Sequence, residues 1–243
     1  MDQNVNEFFH EFYGESPSVN YYKVIRLHQS SLNWEEVKEK VPHICKGWFE
    51  LSHVKKDERL EFIEQFWESK LIKFPNFCQF LEKFFRDVED IEVYLTQKTS
   101  DHPFESQLVY SLKGNQGFFR GHLPANDEQI ELVRTMFPGT TFPHDYIAFM
   151  QIHNGFHKST DITGITPLEK LREGYDAFQA LFEKNDMLFT KNKTIIDPSR
   201  LIPFYTSFGM PFTVSSFSIY KAKALVASSK LSLKFEDNFD SAS

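Results

Sequence analysis

Between residues 56 and 97 the spacing of apolar residues changes from three and four to two, and no other feature of the chain constrains its fold as much. In "KKDERLEFIEQFWESKL" the residues Leu60, Ile63, Phe66, Trp67 and Leu71 recur at helical spacing with acids between them, which predicts an amphipathic helix with an acidic outer face. A second helix is expected after Pro75, with Phe77, Phe80, Leu81, Phe84 and Phe85 on one side and Lys83 and Arg86 near its end. An earlier helix opens with Asn33 and Glu36, a reciprocal capping pattern, and stops near Val41 because Pro42 has no amide hydrogen to donate. From Ile91 the period is two. Ile91, Val93 and Leu95 alternate with Glu92, Tyr94 and Thr96, and "ESQLVYSL" follows after a short polar link, so two antiparallel strands are predicted. The glycines of "KGNQGFFRG" turn the chain into a third short strand at Phe118 and Phe119. Helices giving way to a hairpin sheet, without strand-helix alternation at crossover length, indicate an α+β fold with a mostly antiparallel sheet flanked by helices.

This pattern divides the chain into a helical N-terminal region, 1–90, and an α+β domain, 91–243, whose first strands occupy 91–121. Within the first 31 residues "NEFFHEF" suggests a short helix, and "VNYYKVIRL" fits a strand or a helix start equally. Further on, "LPANDEQIELVRTMF" is capped by Asn126 and Gln129. The next segment, "FPHDYIAFMQIHNGF", reads as one helix from Pro143 to the Asn154-Gly155 turn. A loop then leads to a strand at "DITGI", a helix from Pro167 with Gly174 as an interruption, and a turn and strand in "IIDPSRLIPFY". Between Phe212 and Phe235 stand four lysines, a cluster of serines and no acid, with "TVSSFSIY" able to pair as a strand.

A chain of 243 residues, 41% hydrophobic, can build a substantial core. Its formal charge of −7 opposes a role in nucleic-acid binding, which needs cations to neutralise phosphates. The N-terminus lacks the basic and apolar regions of a secretion signal, and no apolar run approaches the ~18 residues of a membrane span. Cys45 and Cys78 are too few for a disulfide framework and read as reduced, buried thiols. The expected location is the cytoplasm, with no membrane contact. The 27 phenylalanines are spread along the chain, as befits a general core filler.

His144, His153, His157 and Asp161 form the densest group of potential metal ligands. They motivate one enzymatic alternative, a metal-assisted hydrolase. Asn154-Gly155 separates His153 from His157, however, and removes the shared helical face that two ligands four residues apart would need. The simpler reading puts His144 and Asp145 in the first helical turn and His153 in the last, where a partial proton suits the negative end of the dipole. There is no nucleophile motif, neither cysteine has an activating context, and the "KGNQGFFRG" glycines read as a hairpin turn, not a phosphate loop. No cofactor and no catalytic residue is expected.

The ordered series "MFPGTTFPHDYIAFMQIHNGF", "DITGI", "TPLEKL" and "SRLIPFYTSFG" resembles the SUKH superfamily, the Smi/Knr-type domain, over residues 122–211. Pro143, Tyr146 and Phe149 match the family's helix motif, Asn154-Gly155 its turn, and Ile202-Pro203-Phe204 a later strand. Phe156 stands where the family has a second glycine, and the segment after Phe212 lacks the family's Gly/Asp hairpin. The resemblance implies a non-enzymatic binding domain that takes a protein partner; toxin-neutralising immunity proteins, with a basic toxin domain as partner, are one such class. It implies structural roles for Pro143, Tyr146, Phe149 and Pro203, and a partner surface at Asn154, Gly155, Phe156, His157 and Asp161. A helical, effector-type interaction protein working through the N-terminal helices is the remaining alternative.

Overall fold

The alternation beginning at Ile91 marks the middle of one antiparallel sheet. The computed structural model describes residues 2–10, 20–159, 163–182, 188–189, 195–207 and 210–216. In chain order the elements are α1 (Gln3–Phe8), β1 (Lys23–Arg26), α2 (Trp34–Lys40), α3 (Lys46–Leu51), α4 (Lys56–Leu71), α5 (Pro75–Asp87), β2 (Val88–Gln97), β3 (Glu105–Leu112), β4 (Phe118–Gly121), α6 (Asp127–Met136), α7 (His144–Met150), β5 (Phe156–Lys158), β6 (Thr163–Ile165), α8 (Leu171–Phe182), β7 (Leu188–Phe189), β8 (Ile195–Ile196), β9 (Leu201–Ser207) and β10 (Met210–Ser216). Among the described residues eight strands form one sheet in the order β1-β2-β3-β4-β5-β6-β9-β10, and β7 pairs with β8 separately. Every pairing is antiparallel. The fold is α+β, as the change of period implies.

Both capping boxes form: Asn33 with Glu36 opens α2, and Asn126 with Gln129 opens α6. Val41 caps α2 just before Pro42. The undecided "VNYYKVIRL" holds β1, which runs along β2 with Lys23 opposite Gln97. The predicted strand within "TVSSFSIY" begins earlier, as β10, and pairs with β9 to complete a hairpin that the sequence did not suggest. Gly174 lies inside α8 and does not interrupt it. A strand that the sequence did not suggest at all, β5, joins β4 to β6.

One face of the sheet carries most of the core. Ile91, Val93, Leu95, Leu108, Tyr110 and Leu112 meet Val37, Trp48, Ile63, Trp67, Leu71, Leu81 and Phe85 from the N-terminal helices. The same buried cluster includes Ile130, Val133, Tyr146, Phe149, Met150, Phe156, Leu171 and Ile202. Residues on the two sides of position 90 thus share one apolar interior. The opposite face is covered as well, where simple alternation would leave it to water. Phe9 stacks on Tyr94 with ring centroids 4.2 Å apart, and Val5, Tyr21, Val109 and Phe118 complete a second cluster. The buried Asp2 secures this layer: its carboxylate accepts the amides of Asn4 and Gly117, and its own amide donates to Ser111 Oγ.

The apolar stripes of α4 and α5 are narrower than their sequences suggest. Phe66 is 38% exposed and Phe80 68%, because the covered side of α4 is the one that carries Ile63, Trp67 and Leu71, and the covered side of α5 the one that carries Leu81 and Phe85. The buried position one turn before Ile63 is held by Arg59, whose guanidinium donates to Asp90 at 2.9 Å and to the Val54 carbonyl. The side chain of Phe77 lies outside the described residues.

Candidate functional site

Helix α7 ends at Met150, earlier than the Asn-Gly signal indicates, and Gln151 caps it. The amides of Ile152 and His153 both bond back to the Phe149 carbonyl. His153 is therefore past the helix and 1% exposed, which overturns its reading as a partly protonated residue in the last turn. Its Nδ1 lies 2.8 Å from the His122 carbonyl oxygen, an acceptor only, so Nδ1 carries the ring proton. Nε2 is then the acceptor, and the Tyr110 hydroxyl donates to it at 2.6 Å. The Trp67 indole N–H donates in turn to the Tyr110 oxygen at 3.1 Å. The chain Trp67, Tyr110, His153, His122 joins α4, β3, the segment after α7 and the end of β4 through buried polar groups that satisfy one another. Burial lowers the His153 value to about 3 and raises that of Tyr110 well above its usual range. Both stay neutral at physiological pH.

Gly121 makes room for this ring. A Cβ there would lie 2.3 Å from His153 Nδ1. The next residues lock the following segment. Asn154 Oδ1 accepts the Leu168 amide at 2.8 Å, its Nδ2 donates to Glu169, and its own amide donates to the Leu123 carbonyl. Gly155 has φ +95°, and a Cβ on it would come within 2.6 Å of Pro167 Cγ. The Asn-Gly pair is thus both a turn and a clamp on the start of the 168–170 helical turn.

Phe156, predicted as the start of a partner surface, is 8% exposed. It stacks on Phe119 with centroids 5.1 Å apart and meets Trp67, Tyr110 and Phe149 edge-on. The residue that follows the Asn-Gly turn is thus a core ring. Asn154 is buried as well, so neither side chain offers a surface for docking. Alternation along β5 turns His157 to the other face, beside His122, where it is half-buried. Burial, then His122 and Arg120, bring the His157 value down to about 4. Burial lowers His122 too. Asp161 lies outside the described residues. His144 is exposed in the first turn of α7 with Asp145, as the sequence indicates.

The histidines of the presumed metal group are thus dispersed: one on the surface, one in the core, one on the far face of the sheet. Among the described residues no three His, Cys, Asp or Glu side chains come close enough together to hold a metal ion. Cys45 is half-buried, and burial raises its thiol value, so it is no activated nucleophile. On the far face Arg120 spends its donors on Ser159 Oγ, Tyr21 Oη and Gln107 Oε1, with its guanidinium 4.4 Å above the Phe8 ring. A cavity of about 290 Å³ between α8 and β9 is lined by Lys170, Glu173, Gly174 and Pro203 among others, and its two charges pair with each other at 2.8 Å. Of the residues assigned structural roles, Tyr146 and Phe149 are buried on α7, Pro143 caps that helix, and Pro203 lies in β9. Sequence reasoning missed Tyr110, Trp67, His122 and Gly121, whose grouping depends on pairings 31 to 43 residues apart that no local pattern records. Among the described residues no helix is long and apolar enough to cross a membrane.

Residues 124–219 match the model of the SMI1 / KNR4 family (SUKH-1), so the chain carries a SUKH-type segment from the approach to α6 through β10. No curated protein and no solved structure matches the chain.

Proposed function

We propose that the protein is a non-enzymatic interaction module of the Smi/Knr type that works in the cytoplasm by binding another protein, and that it belongs to the toxin-neutralising immunity class. The observation carrying this reading is the family match over 124–219. Two physical features support it. The polar side chains of the matched segment that look most reactive, His153, Asn154 and Glu169, are engaged in holding the fold together. The chain's net charge of −7 favours fast capture of a basic protein, a property common among toxin domains that attack nucleic acid.

The test is to purify the protein from its own cell, identify a partner bound at fixed stoichiometry, and move the pair into a neutral host. Toxicity of the partner that disappears when this protein is co-expressed supports the proposal. A partner-free protein, or a pair in which growth inhibition is untouched, overturns the immunity role.

A further inference from the structure

Around Arg120, on the face of the sheet opposite the main core, hydrogen-bond donors outnumber acceptors. Arg120 and His157 stand directly opposite each other on β4 and β5, and the ring of His122, just past β4, has its centroid 6.4 Å from that of His157. The bonds from Arg120 to Ser159, Tyr21 and Gln107 use Nε and Nη1, so the hydrogens of Nη2 have no acceptor among the described residues. Tyr21, 4% exposed, accepts N–H groups from both Arg120 and Gln107 on its one oxygen, which leaves its hydroxyl hydrogen unspent. Ser159 Oγ accepts Arg120 Nε and keeps its own hydrogen in the same way. Neither His122 nor His157 has a hydrogen bond to a ring nitrogen among the described residues, and each neutral ring carries an N–H. The acceptor at hand, Gln107 Oε1, is already taken by Arg120.

Donors gathered without an acceptor suit an acceptor from outside. We propose that Arg120, His122 and His157 form a binding site for an oxyanion of the phosphate type, with the Ser159 and Tyr21 hydroxyls at its border. The several oxygens of a phosphate take hydrogens arriving from different directions, where a carboxylate takes fewer, and a guanidinium matches their geometry. The place is open to solvent: Arg120, His122, His157 and Ser159 are all partly exposed, and Gly164, opposite His157 on β6, puts no side chain over the ring. Burial first, and then neighbouring positive charge, keep both imidazoles neutral in the free protein; Arg120 acts on both rings and Lys98 on His122. Glu105 and Glu169 oppose that effect at His122, but neither carboxylate accepts a bond from the group, and Glu169 is held by Asn154. An anion between the rings reverses the penalty on their charged forms, so its binding draws protons onto them and tightens as the pH falls. None of this depends on the protein partner proposed above.

The test is proton–nitrogen NMR of the imidazole rings in the full-length protein at pH 7 and pH 6, titrated with inorganic phosphate against sodium chloride of matched ionic strength. His122 and His157 are expected to shift together along one saturating curve while the already paired His153 stays still, with tighter binding at pH 6. His157→Gln should weaken binding at least several-fold at an unchanged melting temperature. Arg120→Lys, which keeps the charge but loses the planar fork, should weaken it as well. Methyl phosphate in a parallel titration separates the sources of the anion: binding as tight as that of the inorganic ion assigns the site to a phosphate ester, and binding of the inorganic ion alone assigns it to the free ion. Shifts that chloride reproduces, shifts that never saturate, or a curve undiminished in His157→Gln would overturn the proposal.

Discussion

The Nε2 atom of His153 lies 2.6 Å from the Tyr110 hydroxyl, in a buried chain of donors and acceptors that begins at the Trp67 indole and ends at the His122 carbonyl. Trp67 belongs to an N-terminal helix and His153 to the segment that matches the family model, so the chain ties together parts of the sequence that composition alone would separate. A histidine spacing that invites a metal reading is, in the folded protein, a structural joint.

Acid should weaken the protein through this joint. The folded-state value of His153, about 3, lies below the 6.5 of an unperturbed histidine. Above pH 6.5 neither state holds the proton and nothing is lost. As pH falls from 6.5 towards 3 the unfolded chain takes up a proton that the folded one refuses, and unfolding free energy drops by about 1.4 kcal/mol per pH unit for this site. His122 and His157 shift in the same direction and add to the slope. Urea unfolding at pH 7.5 and 5.5 measures it, and His153→Gln should show a shallower dependence on pH.

Gly121→Ala places a methyl group against the His153 ring, where a Cβ would sit 2.3 Å from Nδ1. A loss of about 1–3 kcal/mol is expected. Because the clash is with one side chain, combining the change with His153→Ala should cost less than the sum of the two, and a double-mutant cycle by chemical denaturation reads that coupling.

Phe156→Ala removes a ring packed among Phe119, Trp67, Tyr110 and Phe149. The cost should be about 3–5 kcal/mol, lowering the melting temperature by about 10 °C. A variant that melts like the parent would return Phe156 to the surface.

Asn154→Ala leaves the buried Leu168 amide without an acceptor and should cost about 1–3 kcal/mol. Asn154→Asp keeps that acceptor but turns a carboxylate towards Glu169, so it should also destabilise at neutral pH and recover as the pH falls towards the carboxylate range. Thermal melts of both variants against pH distinguish the two effects.

Much of the architecture was legible in the sequence because its signals are local. The capping boxes at Asn33 and Asn126, the stop at Pro42 and the alternation from Ile91 act within a few residues, and each appears in the fold. What failed depended on distant neighbours. Phe66 and Phe80 share the period of the buried stripe, but whether a ring at its margin is covered depends on which elements pack alongside. Strand β5 is three residues long and pairs with β4 far upstream, so no run of its own announces it. The histidines misled because their chemistry is the same in a site and in a core. Only the partners of each ring nitrogen decide between the two, and for His153 these are a tyrosine 43 residues away and a carbonyl 31 away.

The most direct test of this account is nitrogen-15 NMR of the imidazole rings in the full-length protein, followed from pH 8 to pH 5.5 with and without added zinc. His153 should stay neutral with its proton on Nδ1 across the range and ignore the metal. A His153 that titrates near 6.5, carries its proton on Nε2, or shifts on addition of zinc would contradict the claim that this residue belongs to the scaffold.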